Sequence, residues 1–226
     1  VLSHGALQRF QQSGLEQLID IWCPPAQFRD TPPSSDGRET WMRLDRPPYS
    51  GTLQVHARPS YVRVIPWQAR RYGISKVDIG PAVPWPNSVT NATPQDCVSF
   101  NDATLLYPGS AFGLDHPVAS MRLKNLRRGM QDLAYLTLLK NRNLEHVAES
   151  LADVLCPYAL TDAYGNHPAD ARDIGWVADW RLWELGRRTM ADELLRAAGE
   201  PDTTRERSME AVVRWRQLID QARHVN

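Results

Sequence analysis

Thr104-Leu105-Leu106-Tyr107, stopped by Pro108-Gly109, and Pro117-Val118-Ala119-Ser120-Met121-Arg122-Leu123, across a polar loop, spell a short strand, a connection and the start of a helix. Ser120 is a residue type that caps a helix by accepting from an otherwise orphaned amide of the first turn. Beyond it Leu123, Leu126, Met130, Leu133 and Leu136 recur along one stripe, which predicts a long amphipathic helix with that stripe buried.

The same alternation runs upstream. Leu7 and Phe10 share one face of a short helical pattern that Ser13-Gly14 ends, and Leu18-Ile19-Asp20-Ile21-Trp22 reads as a strand stopped by Pro24-Pro25. After a turn-rich stretch, Thr31 to Arg38, a second strand is expected over Glu39 to Leu44, and Pro47-Pro48-Tyr49-Ser50-Gly51 forces a loop. From Pro59 the spacing of Tyr61, Ile65, Ala69 and Tyr72 is helical, Gly73 is a natural stop, and Ile74 to Ile79 reads as a third strand. A long loop, Gly80 to Asn101, carries Trp85.

Strands alternating with helices predict parallel βα units, and without a glycine-rich nucleotide loop a barrel is preferred to a doubly wound sheet. Past about Asn141 the strand signals fade. Asp170 to Ala198 and Glu206 to Ala222 read as helical, with Ile174, Val177, Trp180, Met209, Val213 and Leu218 as expected buried positions. The expectation is an α/β chain with a barrel portion at 1–145 and a helical C-terminal extension at 146–226, packed on the barrel against its sheet layer.

Composition narrows the functions. Lys+Arg and Asp+Glu both number 26, so no basic surplus is present to neutralise phosphates, and nucleic acid is not an expected partner. Lys occurs only at positions 76, 124 and 140, and the remaining basic residues are Arg, whose planar donors suit hydroxyls and carboxylates. Cys23, Cys97 and Cys156 are too far apart for a zinc or redox motif; no metal and no cofactor is expected, and one bridge or plain burial of the three is left open. No apolar run reaches membrane-spanning length, Val1 to Phe10 lacks the pattern of a signal peptide, and the missing initiator Met reads as a processed or truncated start. Eight Trp and seven Tyr against four Phe are residue types with a flat apolar face and a polar handle, suited to sugar rings as well as to cores.

Three blocks carry a resemblance. The strand, loop and helix around Leu105-Leu106-Tyr107-Pro108-Gly109 and Met121-Arg122-Leu123 continue into Leu126-Arg127, Gly129, Asp132 and Tyr135-Leu136. Trp41, Pro47-Pro48-Tyr49, Arg63, Trp67, Tyr72-Gly73 and Trp85 form the second block, and Asp20-Ile21-Trp22 before Pro24 the third. In order and spacing these blocks resemble the C-terminal part of the catalytic barrel of glycoside hydrolase family 123 and of the related proteins grouped as domain of unknown function 4091. The resemblance covers roughly residues 15 to 140 and extends weakly to about 200. The sequence departs from the family at Lys124 and Arg128, where many relatives are acidic, and at Asp78-Ile79-Gly80, where they carry an aromatic pair.

The resemblance implies the C-terminal half of a (β/α)8 TIM-type barrel from a bacterial protein, in a periplasmic or secreted setting. It also implies a carbohydrate substrate containing N-acetylhexosamine. Characterised members of family 123 are β-N-acetylgalactosaminidases in which the substrate's 2-acetamido oxygen is the nucleophile, an Asp orients it and an adjacent Glu is the general acid. The only Asp-Glu dipeptide here, Asp192-Glu193, lies in a helical stretch, so the catalytic pair is expected upstream, in an N-terminal half of the same polypeptide. The alternative is a non-catalytic carbohydrate-binding or structural module.

Barrel chemistry sits at the C-terminal ends of strands, which makes Trp22, Arg43, Asp45 and Asp78 eligible by position. Trp41, Tyr49, Asp78 and Trp85 are the candidate substrate-binding residues. Trp41 and Trp85 stand beside Pro-rich or polar loops, and Tyr49 lies on a stiff Pro-Pro loop where it serves as a platform or as a loop anchor. Asp78 interrupts an apolar strand, so its carboxylate must meet a ligand hydroxyl or an internal cation, Arg70 or Arg71. Trp67 is expected in the core, Arg122 and Asp132 are expected to tie the long helix to its neighbours, and His116 is expected in solvent.

Overall fold

The computed structural model describes residues 13–14, 21–28, 39–83, 85, 93–94, 104–160 and 175–199, with 213, 215 and 217. The expected helix around Leu7, most of the Gly80 to Asn101 loop, and Ile174, Met209 and Leu218 lie outside the described residues.

Among the described residues six two-residue strands form: β1 (Ile21–Trp22), β2 (Glu39–Thr40), β3 (Met42–Arg43), β4 (Val77–Asp78), β5 (Leu106–Tyr107) and β6 (Val118–Ala119). β1 pairs parallel with β2, Ile21 opposite Glu39, and β3 pairs parallel with β4, Met42 opposite Val77 and Arg43 opposite Asp78. A parallel bridge joins Pro25 to Arg43. Only Trp41 separates β2 from β3, so the extended segment 39–43 runs between residues 21–25 on one side and 77–78 on the other. The path from β3 to β4 passes through two short helices, α1 (Pro59–Arg63) and α2 (Ile65–Arg71), a βαβ crossover of the kind parallel neighbours require. Among the described residues the strands do not close into a barrel.

The expectation of uniformly parallel units fails at the next pair. β5 and β6 are antiparallel, Leu106 opposite Ala119 and Tyr107 opposite Val118. The ten residues from Pro108 to Pro117 are too few for a helical crossover, and they turn through a 3-10 segment, Gly109–Phe112, instead.

Ser120 then caps α3 (Met121–Asn141), its side chain accepting from the Leu123 amide at 3.2 Å. The buried line of α3 runs through Arg122, Gly129, Asp132, Leu136 and Leu139, and Met130, expected in the stripe, is 53% exposed. Reading only large apolar residues misplaced the stripe by about one position. Gly129 lies against α1 and α2, where an added Cβ would overlap the Arg63 carbonyl oxygen and stand 3.0 Å from Pro66 Cδ. The missing side chain lets α3 approach closely enough for Asp132 to reach Arg63.

Two further helices follow, α4 (Glu145–Leu155), not among the expected elements although Val147, Ala148, Leu151 and Leu155 form one buried stripe, and α5 (Trp180–Gly199). They share one core with the earlier helices: Val64 and Trp67, Leu136 and Leu139, Val147, Leu151 and Leu155, Trp183 and Met190, and Trp215. Trp67 and Trp183 meet edge to face, with ring centroids 5.4 Å apart. The C-terminal helices thus pack chiefly on the helix layer and not, as expected, on the sheet. Trp180 and Val213, expected to be buried, are exposed. A smaller cluster under β3 joins Ala26, Met42, Ala69, Ile74, Ala159 and Leu160.

Candidate functional site

The parallel register brings Arg43 and Asp78 side by side where β3 and β4 end, with Arg43 Nε 3.2 Å from Asp78 Oδ2. The cation facing Asp78 is therefore Arg43 from the neighbouring strand, not Arg70 or Arg71; Arg71 instead meets Asp153 at 2.8 Å. The second Asp78 oxygen accepts from the Gly80 amide at 2.9 Å. Cys23, just past β1, lies close enough to feel this pair. Burial raises the pKa of its thiol and the Asp78 charge adds to the rise, while Arg43 partly opposes both.

Two residues beyond β3, Asp45 enters the loop that carries Pro47-Pro48-Tyr49. Its amide donates to Ser50 Oγ at 2.7 Å and its Oδ1 accepts from the Arg46 amide at 2.9 Å. Its Oδ2 is buried and has no hydrogen-bond partner among the described residues. Buried carboxylate oxygens are rarely left so, because the lost hydration is not replaced. The loop is held down by Gly51, whose amide donates to the buried Gln68 Oε1 at 2.8 Å. A Cβ at residue 51 would stand 2.6 Å from Ile65 Cγ1, so the loop lies directly on α1 and α2.

The four residues singled out as substrate-binding occupy different surroundings. Asp78 is at the strand end, one-third exposed. Trp41 projects from between β2 and β3 with Lys76 Nζ 5.0 Å from its ring centroid, and its Nε1 is buried without a partner. Tyr49 packs on the cluster beneath β3, and its carbonyl accepts from the Leu160 amide at 2.7 Å, the geometry of a loop anchor. Trp85 is pinned by Nε1 donating to the Leu106 carbonyl at 2.8 Å. His116 is exposed beside Asp115.

A second polar centre, between α1, α3 and α5, is more tightly built. Asp132 is fully buried and accepts from Arg63 Nε at 2.6 Å and Nη2 at 3.0 Å, from Trp67 Nε1 at 3.3 Å and from Arg187 Nη1 at 3.4 Å. Arg63 also donates through Nη1 to Glu184 at 2.5 Å, and Arg128 donates to the same carboxylate through Nε at 3.3 Å and Nη2 at 2.7 Å. Burial acts to raise the Glu184 pKa, but the Arg128 hydrogen bonds and the Arg63 charge outweigh it, and the carboxyl is held below its ordinary value. Arg122 ties the first turn of α3 to the Leu53 carbonyl at 3.2 Å and to the Tyr107 hydroxyl at 2.8 Å. The expected structural roles of Trp67, Arg122 and Asp132 are those seen. The partners of Asp132 were not legible in sequence, because Arg63 is 69 residues and Arg187 55 residues away and only the packing of α3 on α1 and α5 joins them.

Neither of two clefts formed by described residues includes Trp41, Tyr49, Asp78 or Trp85. One, of about 540 Å³, lies between α2, α3 and α4, and ion pairs Arg71–Asp153 and Lys140–Glu145 cross its rim. The other, of about 390 Å³, lies beside the Arg63–Glu184–Arg128 network and is walled by Trp180, Lys124 and Ser60. Among the described residues no three His, Cys, Asp or Glu side chains gather as a metal ion would need, and no helix is long and apolar enough to cross a membrane. No protein-family model matches the chain, and no curated protein matches it significantly.

Proposed function

We propose that this chain is the sugar-binding part of a glycoside-hydrolase-like protein, the C-terminal half of a (β/α)8 barrel acting on glycans that contain N-acetylhexosamine, with the catalytic acidic pair contributed from outside these residues. The observation that carries the reading is the set of polar groups at the ends of neighbouring parallel strands: Arg43 and Asp78 in contact, and the buried Asp45 Oδ2 without a partner. Carboxylates held at strand ends are suited to accept hydroxyl donors from a sugar, and in βα architectures this edge is where ligands sit. Trp41, Tyr49 and Trp85 are the proposed aromatic surroundings of that ligand. Asp192-Glu193 is not the acidic pair: it lies within α5, where Glu193 is buried and paired with Arg196 at 2.6 Å.

The test is to express the complete reading frame and follow nitrophenol release from 4-nitrophenyl β-N-acetylgalactosaminide beside other aryl glycosides. Binding of N-acetylgalactosamine is measured in parallel by ligand-observed NMR. Turnover that falls at least tenfold in Asp45→Asn or Asp78→Asn supports the hydrolase. Binding sensitive to the same changes without turnover supports the non-catalytic module, and neither binding nor turnover overturns the carbohydrate reading.

A further inference from the structure

The cleft beside the buried ion network has a composition that its structural role does not explain. Its about 390 Å³ would accept a single six-membered ring with substituents. Trp180, the first residue of α5, is 61% exposed on its wall, a position where a large aromatic gains nothing for the core. On α3, Lys124 is exposed and makes no ion pair with any described residue, and Arg128 uses Nε and Nη2 on Glu184, leaving Nη1 without a partner among them. Ser60, whose hydroxyl donates to the Ala178 carbonyl at 3.0 Å, closes the floor.

The charge around the cleft is unbalanced. Lys124, Arg128 and Arg63 line it with Glu184, and buried Asp132 pairs with Arg63, so among the described residues one positive charge is left over, although the whole chain is neutral. Glu184 does not cancel the excess for a ligand, because it is already bonded to both Arg63 and Arg128. The unspent donors, Lys124 Nζ and Arg128 Nη1, both come from the first two turns of α3, while the aromatic face comes from α5. A ligand that satisfies all three needs a carboxylate and a flat-faced ring.

We propose that this cleft binds a ring-bearing monocarboxylate, the ring lying on Trp180 and the carboxylate received by Lys124 and Arg128. The chemistry is shared by a sugar acid and an aromatic acid, and the assignment does not depend on the strand-end site. Stacking on an exposed indole supplies the apolar contact, and charge-assisted hydrogen bonds to Lys and Arg supply the selection for an anion.

The probes are glucuronate, benzoate and neutral glucose, titrated against the whole chain by saturation-transfer NMR. Binding of glucuronate or benzoate with a Kd on the order of 1 mM is expected, with glucose at least tenfold weaker; which acid binds more tightly identifies the source of the carboxylate. Lys124→Gln and Trp180→Ala, both at exposed positions, are each expected to weaken the preferred acid about fivefold to tenfold while urea unfolding is unchanged. Asp78→Asn, at the strand ends, is expected to leave this binding unaltered, which separates the cleft from the proposed glycan site. No binding of either acid at 10-fold above about 1 mM, equal binding of glucose, or binding indifferent to Lys124→Gln and Trp180→Ala overturns the proposal.

Discussion

Replacing Asp132 with Asn removes one negative charge from a position with no contact to solvent. The native carboxylate accepts from four donors, two on Arg63 and one each on Trp67 and Arg187. A carboxamide keeps one oxygen, which accepts two of them at most, and turns an NH2 toward the others. Arg187, whose side chain is 15% exposed, can rotate toward water, but Arg63 and Trp67 cannot. At least one buried donor is orphaned, at about 1–3 kcal/mol, and a buried guanidinium loses its main counter-charge, for which about 3–5 kcal/mol is typical. Glu184 still contacts Arg63, which points to the lower end, a loss of about 3 kcal/mol. Against a total stability of roughly 5–15 kcal/mol this is a large fraction. Urea unfolding followed by tryptophan fluorescence measures it, since Trp67 and Trp183 lie at the site, and Asp115→Asn, at a fully exposed carboxylate, is the control expected to change stability by less than about 0.5 kcal/mol. A loss below about 1 kcal/mol at Asp132, with unchanged denaturant slope, would refute the claim that this ion network anchors α3 to α1 and α5.

Three other outcomes are expected. Gly129→Ala should destabilise by about 1–3 kcal/mol, because its Cβ meets the backbone of Arg63, whereas Ala at a helix interior with room would stabilise; the sign of the shift in urea midpoint decides. Burial pushes the Cys156 thiol from its ordinary value near 9.0 up to about 12, with Arg71 opposing only in part. The unfolded thiol ionises first, so folding stability falls as pH rises from about 9 toward about 12, and Cys156→Ala should flatten that alkaline loss. Glu184 is shifted the other way, below its ordinary 4.5, so its contribution is present above that value and disappears as pH falls through the lower folded pKa; Glu184→Gln should reduce the difference between urea midpoints measured at pH 7 and in acid.

The elements were legible where the signal is local. Ser120 as a cap acts through its own side chain, and Pro59 as a start and Gly73, at φ +63°, as a stop act through their own backbone; each lies at the boundary that sequence indicates. The strand segments 39–43 and 77–78 fall within the predicted spans because β-branched and apolar residues between turn signals need no distant information. Legibility ended where a residue's role depends on a partner far along the chain. The Asp78 cation could be guessed only from nearby arginines, and the parallel register supplied Arg43 instead. The buried line of α3 departs from the apolar stripe because it contains an arginine, a glycine and an aspartate, which are buried only when their partners at Leu53 and Tyr107, on α1 and on α5 are in place.

Lys124 and Arg128 bear on how the two polar centres divide their roles. A carboxylate at 128 would sit beside Glu184 and raise the cost of keeping it ionised, whereas Arg128 holds it charged and, with Lys124, leaves donors over. The strand-end centre has the opposite balance, with Asp78 paired to Arg43 and the buried Asp45 Oδ2 unmet among the described residues. A ligand offering hydroxyl donors therefore suits the strand ends and a ligand offering a carboxylate suits the helix cleft, so a single neutral sugar and a single acid should not compete. Simultaneous titration of N-acetylgalactosamine and glucuronate tests that division: independent isotherms are expected, and mutual displacement would mean that one site accounts for both.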